Sequence, residues 1–411
     1  LSSFAVRSAA ERLACALVLP ALGWGIYCSG RLALADSAFR LSTPESLAEA
    51  VRLEPGNAAY DQLLAENLVS VGKDASAERE QAALLSPLDS AYWLDLGAMA
   101  EVNSDIPAAE RYLLKAASVD RKFAPRWSLM NFYFRQQRPA EFWQWAREAA
   151  PMASGDLVGI FRLCRMMTGP GESTDRMLRL PDSARAQYLA FLMKDNHWDA
   201  APAVARAVAA QATSENLALL LDYSDTALAY NVASAVEVWN ILLRRKLEPF
   251  DPLDAHGGAI VTDGKFRISP IDRVFDWRVT RADGVGVIFG SASPGATVEL
   301  SGEQDQTVAI LTQWMPVEPG RSYRLDYEYT AESENSRQAS GVAWEVRDPV
   351  TKAVLRTSED LKASQGNWPG SFEFTATGSA AVLSLRYART PGTFRHEEKF
   401  TIRKLSSRIL P

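Results

Sequence analysis

Residues 86–150 read SPLDSAYWLDLGAMAEVNSDIPAAERYLLKAASVDRKFAPRWSLMNFYFRQQRPAEFWQWAREAA, and this stretch decides the fold. Trp93, Leu96 and Gly97 fall on one face of a first helix, with Ala100 one turn on. Ala109, Leu113 and Ala116 follow at spacings of four and three on a second helix, the spacing that keeps side chains on one helical face. Large residues alternate with small ones, so two antiparallel helices can approach closely and a next pair can stack on them.

This pattern resembles the tetratricopeptide repeat (TPR), whose period is about 34 residues. Counted from Ser90, the family's Trp, Leu, Gly, Ala, aromatic-or-Leu and Ala positions fall on Trp93, Leu96, Gly97, Ala109, Leu113 and Ala116. The resemblance makes Trp93 a core residue. Upstream, PESLAEAVRLEPGN reads as the second helix of a repeat, closed by Ala50 and Pro55. Residues 58–87 form the next unit, with Leu64, Ala65, Leu68, Ala77 and Pro87, but with Asp61 at the Trp position. From Ala124 a further unit carries Trp127, Met130, Phe134 and the Arg138-Pro139 turn, with Asn131 replacing the small residue. Past Pro151 the pattern weakens; helix pairs recur over Tyr188–Val208 and Leu217–Lys246, after a break at Thr168–Ser173. An α-solenoid over residues 41–247 is expected. The resemblance implies a concave groove lined by Leu94, Ala98, Glu101 and Val102, then Ser128, Phe132, Arg135 and Gln136. Aromatic and Arg anchors there suit a protein partner. Phe132 has a plainer reading as filling for the next repeat's core, and both stay open.

Before the repeats, Leu13 to Gly30 carries no charge. At about 1.5 Å per residue this reaches roughly 27 Å, near the thickness of a bilayer's hydrocarbon core. Residues 1–40 are therefore expected to be a tail and transmembrane anchor, with the helix at about 13–30. Leu13, Leu17, Leu19, Leu22 and Ile26 would meet lipid, and Trp24 and Tyr27 would lie near the far interface, where amphipathic rings prefer to sit. Pro20, Gly23, Gly25 and Ser29 permit close approach by neighbouring spans. Arg7 and Arg12 precede the segment, which predicts the N-terminus in the cytoplasm and the bulk of the chain outside it, a periplasmic location in a bacterial cell. A cleaved signal peptide, with LALA before Asp36 as its A-x-A-like site, is the rival. A mitochondrial presequence fits less well because SSFAVRSAAER contains a Glu. The length rule favours the anchor.

After a Pro/Gly linker at residues 248–258 the period changes to two. Tyr323, Leu325, Tyr327 and Tyr329 alternate with polar residues, as do Val342, Trp344 and Val346, and Leu383, Leu385 and Tyr387. Short alternating runs separated by turns such as Glu318-Pro319-Gly320 indicate an antiparallel β-sandwich over residues 259–411. The opening IVTDGKFRISPIDRVFDWRV, with PVEPGRSYRLDYEY and GVAWEV, is similar to jelly-roll modules of the carbohydrate-binding type. That resemblance implies calcium between two acidic stretches. Those places read Thr262-Asp263-Gly264-Lys265 and Ile402-Arg403-Lys404, and cations where carboxylates are needed argue against it. Among the tryptophans, alternation places Trp344 inside, while Trp314 at a strand end and Trp368 in an expected loop remain candidate sugar-stacking platforms.

The totals narrow the classes. The chain has 411 residues and a net charge of −6, against a general nucleic-acid binder, which needs a basic face. Cys15, Cys28 and Cys164 cannot build a disulfide framework. His197, His256 and His396 are scattered with no zinc spacing. No G-x-S-x-G or P-loop occurs. The expectation is a multidomain α + β chain with neither catalytic residues, metal nor cofactor: an extracytoplasmic scaffold that docks on other membrane-protein subunits. The second reading is a glycan-binding factor of envelope or exopolysaccharide biogenesis, with polysaccharide as its partner; an enzyme is the third class.

Overall fold

The structure, a computed structural model, describes residues 9–153, 155–169, 173–290, 294–332, 340–389, 391–392, 395 and 397–411. Arg7, His396 and the centre of the break at Thr168–Ser173 lie outside the described residues, as do the side chains of residues 9–15, Leu13, Arg12 and Cys15 among them. The chain divides into two compact units, Leu1–Arg179 and Leu180–Pro411. That division falls inside the stretch expected as one solenoid, 41–247.

The first unit holds α1 (Ala9–Leu41), α2 (Pro44–Leu53), α3 (Ala58–Ser70), α4 (Ser76–Leu85), α5 (Ser90–Val102), α6 (Ile106–Val119), α7 (Phe123–Arg135), α8 (Pro139–Ala149), α9 (Val158–Met167) and α10 (Thr174–Leu178). Helices α1–α2, α3–α4, α5–α6 and α7–α8 pack as successive TPR-like hairpins. Local chemistry sets their starts. Thr43 closes a capping box with Ser46, and the Asn57, Asp89 and Asp105 side chains accept N–H groups of the first turns of α3, α5 and α6. Leu96, Gly97, Ala109, Leu113 and Ala116 are buried as the repeat pattern requires. Gly97 is small for a reason: a Cβ there would lie 2.7 Å from Leu113 Cδ2. Trp93 is a correction, being half-buried and stacked on Tyr112 at 6.1 Å rather than enclosed.

A second correction concerns α1. The apolar helix expected at about 13–30 continues unbroken to Leu41, because Arg31 to Leu41 contains no Gly or Pro and is rich in Leu and Ala. Its last ten residues are the first helix of the first hairpin, which therefore opens before Thr43. Ala35, Ala50 and Tyr60 are buried together with Ala38 and Phe39 against them. Tyr60 donates to Asp36 at 2.6 Å, and Arg31 pairs with Glu54 at 3.2 Å.

The second unit opens with α11 (Asp182–Lys194), α12 (Ala201–Ala210), α13 (Ser214–Ala227) and α14 (Val232–Arg244). The stretch expected as a linker is packed. Phe250 stacks on Trp239, and the Asn240 side chain both donates to Leu253 O and accepts from Leu253 N. The strands follow: β1 (Arg278–Val279), β2 (Val285–Phe289), β3 (Ala296–Ser301), β4 (Thr307–Pro316), β5 (Ser322–Ala331), β6 (Val342–Arg347), β7 (Val354–Thr357), β8 (Gly366–Thr375), β9 (Ala380–Ala388) and β10 (Glu397–Ile409). They form two antiparallel five-stranded sheets, ordered β1-β4-β9-β6-β7 and β2-β3-β10-β5-β8. Tyr323, Leu325, Tyr327 and Tyr329 point inward with Trp344, Leu383, Leu385 and Phe400 into one jelly-roll-like core.

Candidate functional site

Of the eight groove positions, the structure joins two. Arg135 of α7 donates from both Nε and a terminal nitrogen to the Glu101 carboxylate of α5, each bond 2.7 Å. These residues stand 34 apart, one repeat period, so adjacent repeats are in register. Both charges are satisfied within the chain, and such a partly exposed pair contributes about 0–1 kcal/mol. Leu94, Ser128 and Gln136 are half-buried, while Ala98 and Val102 are exposed, Val102 at 77%. Phe132 is the correction: it is fully buried. Its helix buries Pro125, Arg126, Leu129, Met130 and Tyr133 as well, and Phe132 belongs to that packed face of α7.

Three exposed apolar residues of this unit stand at hairpin tips. Leu41 ends α1 and is 71% exposed; Val71 follows α3 at 56%; Val102 ends α5 at 77%. Of these, the repeat resemblance names only Val102, as a position of the groove.

Inside the unit, Asp61 of α3 occupies the family's Trp position and is 3% exposed, and its Oδ2 has no hydrogen-bond partner among the described residues. Burial, with the Glu78 charge beside it, pushes this carboxyl up to about 6. The folded state therefore holds the proton more tightly than the unfolded chain. The contribution to stability is most favourable below about pH 4 and declines as pH rises through 6. Asp61→Asn is expected to stabilise the protein at pH 7 by about 2–3 kcal/mol while changing little at pH 4. Urea unfolding at the two pH values measures this, and an equal effect at both contradicts the assignment.

In the sandwich, Trp368 lies in strand β8, not in a loop. Its indole donates to Ser364 O at 3.0 Å, and the Lys362 ammonium sits 4.5 Å from the ring centroid. A ring pinned on one edge and capped by a cation is a poor open platform. Trp314, in β4, is half-buried and opposite Val382, on the sheet face away from buried Gln313 and Met315. The outer face of β5 and its neighbours is a charge ladder, Arg324 with Asp326 and Glu373, and Lys404 with Glu328.

At the calcium places of the resembled modules, the Asp263 carboxylate accepts Ile268 N–H at 3.1 Å, and Leu405 N–H donates to Gly264 O at 2.6 Å. Among the described residues no group of three or more His, Cys, Asp or Glu is arranged to hold a metal. Cys164 is buried and its thiol is pushed up by desolvation.

The residues that position the sandwich within its unit were not foreseen. Asp225 of α13 accepts from Arg273 Nε at 2.9 Å, Val274 N at 2.6 Å and the Arg278 guanidinium at 2.8 Å, and Arg273 also pairs with Asp222. Partners 48 to 53 residues apart leave no periodic signal.

At the apolar helix, Leu17, Leu19, Leu22, Trp24, Ile26 and Tyr27 are all more than half exposed, at 56–74%. Ala16–Leu41 is long and apolar enough to cross a membrane.

No family model and no curated protein matches the sequence. Among solved structures, a MamA protein aligns at 13% identity over 42% of this chain and 93% of its own, with a TM-score of 0.31. Pseudomonas aeruginosa pilF aligns at 15% identity over 55% and 94%, with a TM-score of 0.27. A CBM4 structure aligns at 10% identity over 36% and 99%, with a TM-score of 0.30. At these scores the likenesses carry no argument about function.

Proposed function

We propose that this chain is a non-enzymatic, membrane-tethered scaffold whose repeats hold other membrane-protein subunits in a complex on the extracytoplasmic, periplasmic side. The observation that carries the reading is α1, which runs without a break from an exposed apolar stretch into the first repeat hairpin. A tether joined this way raises the local concentration of a partner and offsets weak contacts. The exposed Leu41, Val71 and Val102 at successive hairpin tips are the contact residues, in place of the buried Phe132.

Val71→Asp combined with Val102→Asp is expected to weaken co-purification of the native complex by at least about thirtyfold, the effect of losing about 2 kcal/mol. Both residues are exposed, so thermal stability stays within about 0.5 kcal/mol. An intact complex in the double variant removes the tips from the docking surface.

The partly buried Trp314, on the sheet face away from Gln313 and Met315, supports the second reading, a glycan-binding factor of envelope biogenesis. Retention of polysaccharide that is lost in Trp314→Ala would establish it.

A further inference from the structure

The path of the helices carries an orientation as well as a tether. From Arg31 to the end of α1 the helix rises about 15 Å beyond the uncharged stretch, at about 1.5 Å per residue. Helix α2 has ten residues, Pro44 to Leu53, and returns over the same length. The Arg31–Glu54 pair at 3.2 Å fixes that return: the α2–α3 turn is level with Arg31. Cys28, Ser29 and Leu32 line one groove with Glu54, Gly56, Asn57, Ser86 and Tyr92. Ser86 also borders a second groove, lined by Pro87, Leu88, Val119, Asp120 and Lys122. The α2–α3, α4–α5 and α6–α7 turns therefore adjoin one another, beginning at the last residues of the apolar stretch. Helices α3 to α7 run 10 to 14 residues each, so each antiparallel pair returns to nearly the same level.

We infer that these inter-repeat turns rest on the headgroup surface of the bilayer that α1 enters, with Leu88 inserted at the interface and Arg121 and Lys122 facing lipid phosphates. The inference rests on the tethered reading above and adds which end of the repeats meets the lipid. Leu88 follows Pro87 and is 81% exposed. Arg121 and Lys122 are exposed. Of the carboxylates at this end, Glu54 is paired with Arg31, while Asp89 accepts Ala91 N–H and Asp120 accepts the Ser90 hydroxyl and Lys122 N–H, bonds that hold both in place and leave their charges intact. Beside those two anions the end presents two exposed cations and an exposed aliphatic side chain, features that an interfacial surface uses. The spanning stretch and the first hairpin are one unbroken helix, so the level of the turns relative to the lipid follows from the path of α1.

The full chain, with its three native cysteines replaced, is reconstituted in vesicles of phosphatidylethanolamine and phosphatidylglycerol. Single cysteines at Ile26, Leu88, Lys122 and Asn103 carry an environment-sensitive fluorophore, and nitroxide lipids bear the spin label either at the headgroup or in mid-chain. Mid-chain nitroxide is expected to quench the label at Ile26, which tests the tether. Headgroup nitroxide is expected to quench Leu88 and Lys122 at least threefold more than Asn103, which lies at a hairpin tip. Quenching at Ile26 with Leu88 and Lys122 no different from Asn103 overturns the orientation and leaves the tether standing. No quenching at Ile26 overturns both.

Discussion

Trp239→Ala is expected to lower the stability of the second unit by about 3–5 kcal/mol, the cost of emptying a buried aromatic site. Trp239 is fully buried in α14, stacks on Phe250 at 5.8 Å and meets Phe275 edge-on at 6.3 Å. Phe275 lies between Val274, whose N–H donates to Asp225, and the strand that begins at Arg278. One ring thus belongs to the helical hairpins and to the approach to the sandwich. Its Nε1 has no hydrogen-bond partner among the described residues, so the loss is one of packing. Guanidinium unfolding followed separately by helical circular dichroism and by near-ultraviolet signal should show both midpoints falling together. A drop confined to the helical signal would mean that hairpins and sandwich unfold independently.

Arginine in the middle of α1 should act on location instead of folding. Leu22 and Ile26 are 57% and 74% exposed and make no core. At the centre of a span each arginine costs about 2.5–3.5 kcal/mol of insertion free energy. Leu22→Arg with Ile26→Arg is therefore expected to move the protein from the alkali-resistant membrane fraction to the soluble one. The first hairpin's seal at Ala35, Ala50 and Tyr60 lies outside the altered residues, so the unfolding midpoint should stay unchanged. A doubly substituted chain that still resists alkaline extraction would show that α1 does not anchor through this stretch.

The repeat was legible where one helix meets its own partner. Leu96, Gly97, Ala109, Leu113 and Ala116 sit at sequence-near spacings, and all are buried. What each hairpin does with its other flank is a property of the neighbouring hairpin, which no local pattern carries. Phe132 has two readings from its position, groove and core, and its burial is that of the core reading. Trp93 was assigned to the core by its family position, but it lies half-open against Tyr112, with the Lys115 ammonium 5.8 Å from its ring. Trp368 misled differently. Gly and Pro crowd SQGNWPGS as they do loops, yet β8 is an edge strand, where a missing proline N–H is tolerated. Gly370 is small because the Tyr327 ring lies where its Cβ would be, 2.3 Å away. The strands β5 and β9 were visible because each keeps one face in the core. The Asp225 cluster was invisible because acid and base come from distant segments, and no local pattern announces them.

The place of β10 bears on how the protein is made. It follows every other strand among the described residues, yet it lies in the middle of its sheet, pairing with β3 on one side and β5 on the other. During synthesis β2–β3 and β5–β8 must wait as two separate partial sheets, each with a bare edge. At about 5–20 residues per second, several seconds pass between the emergence of Ala331 and that of Ile409. Bare edges recruit strands from other chains, so this interval is when the nascent protein most needs shielding from its own copies.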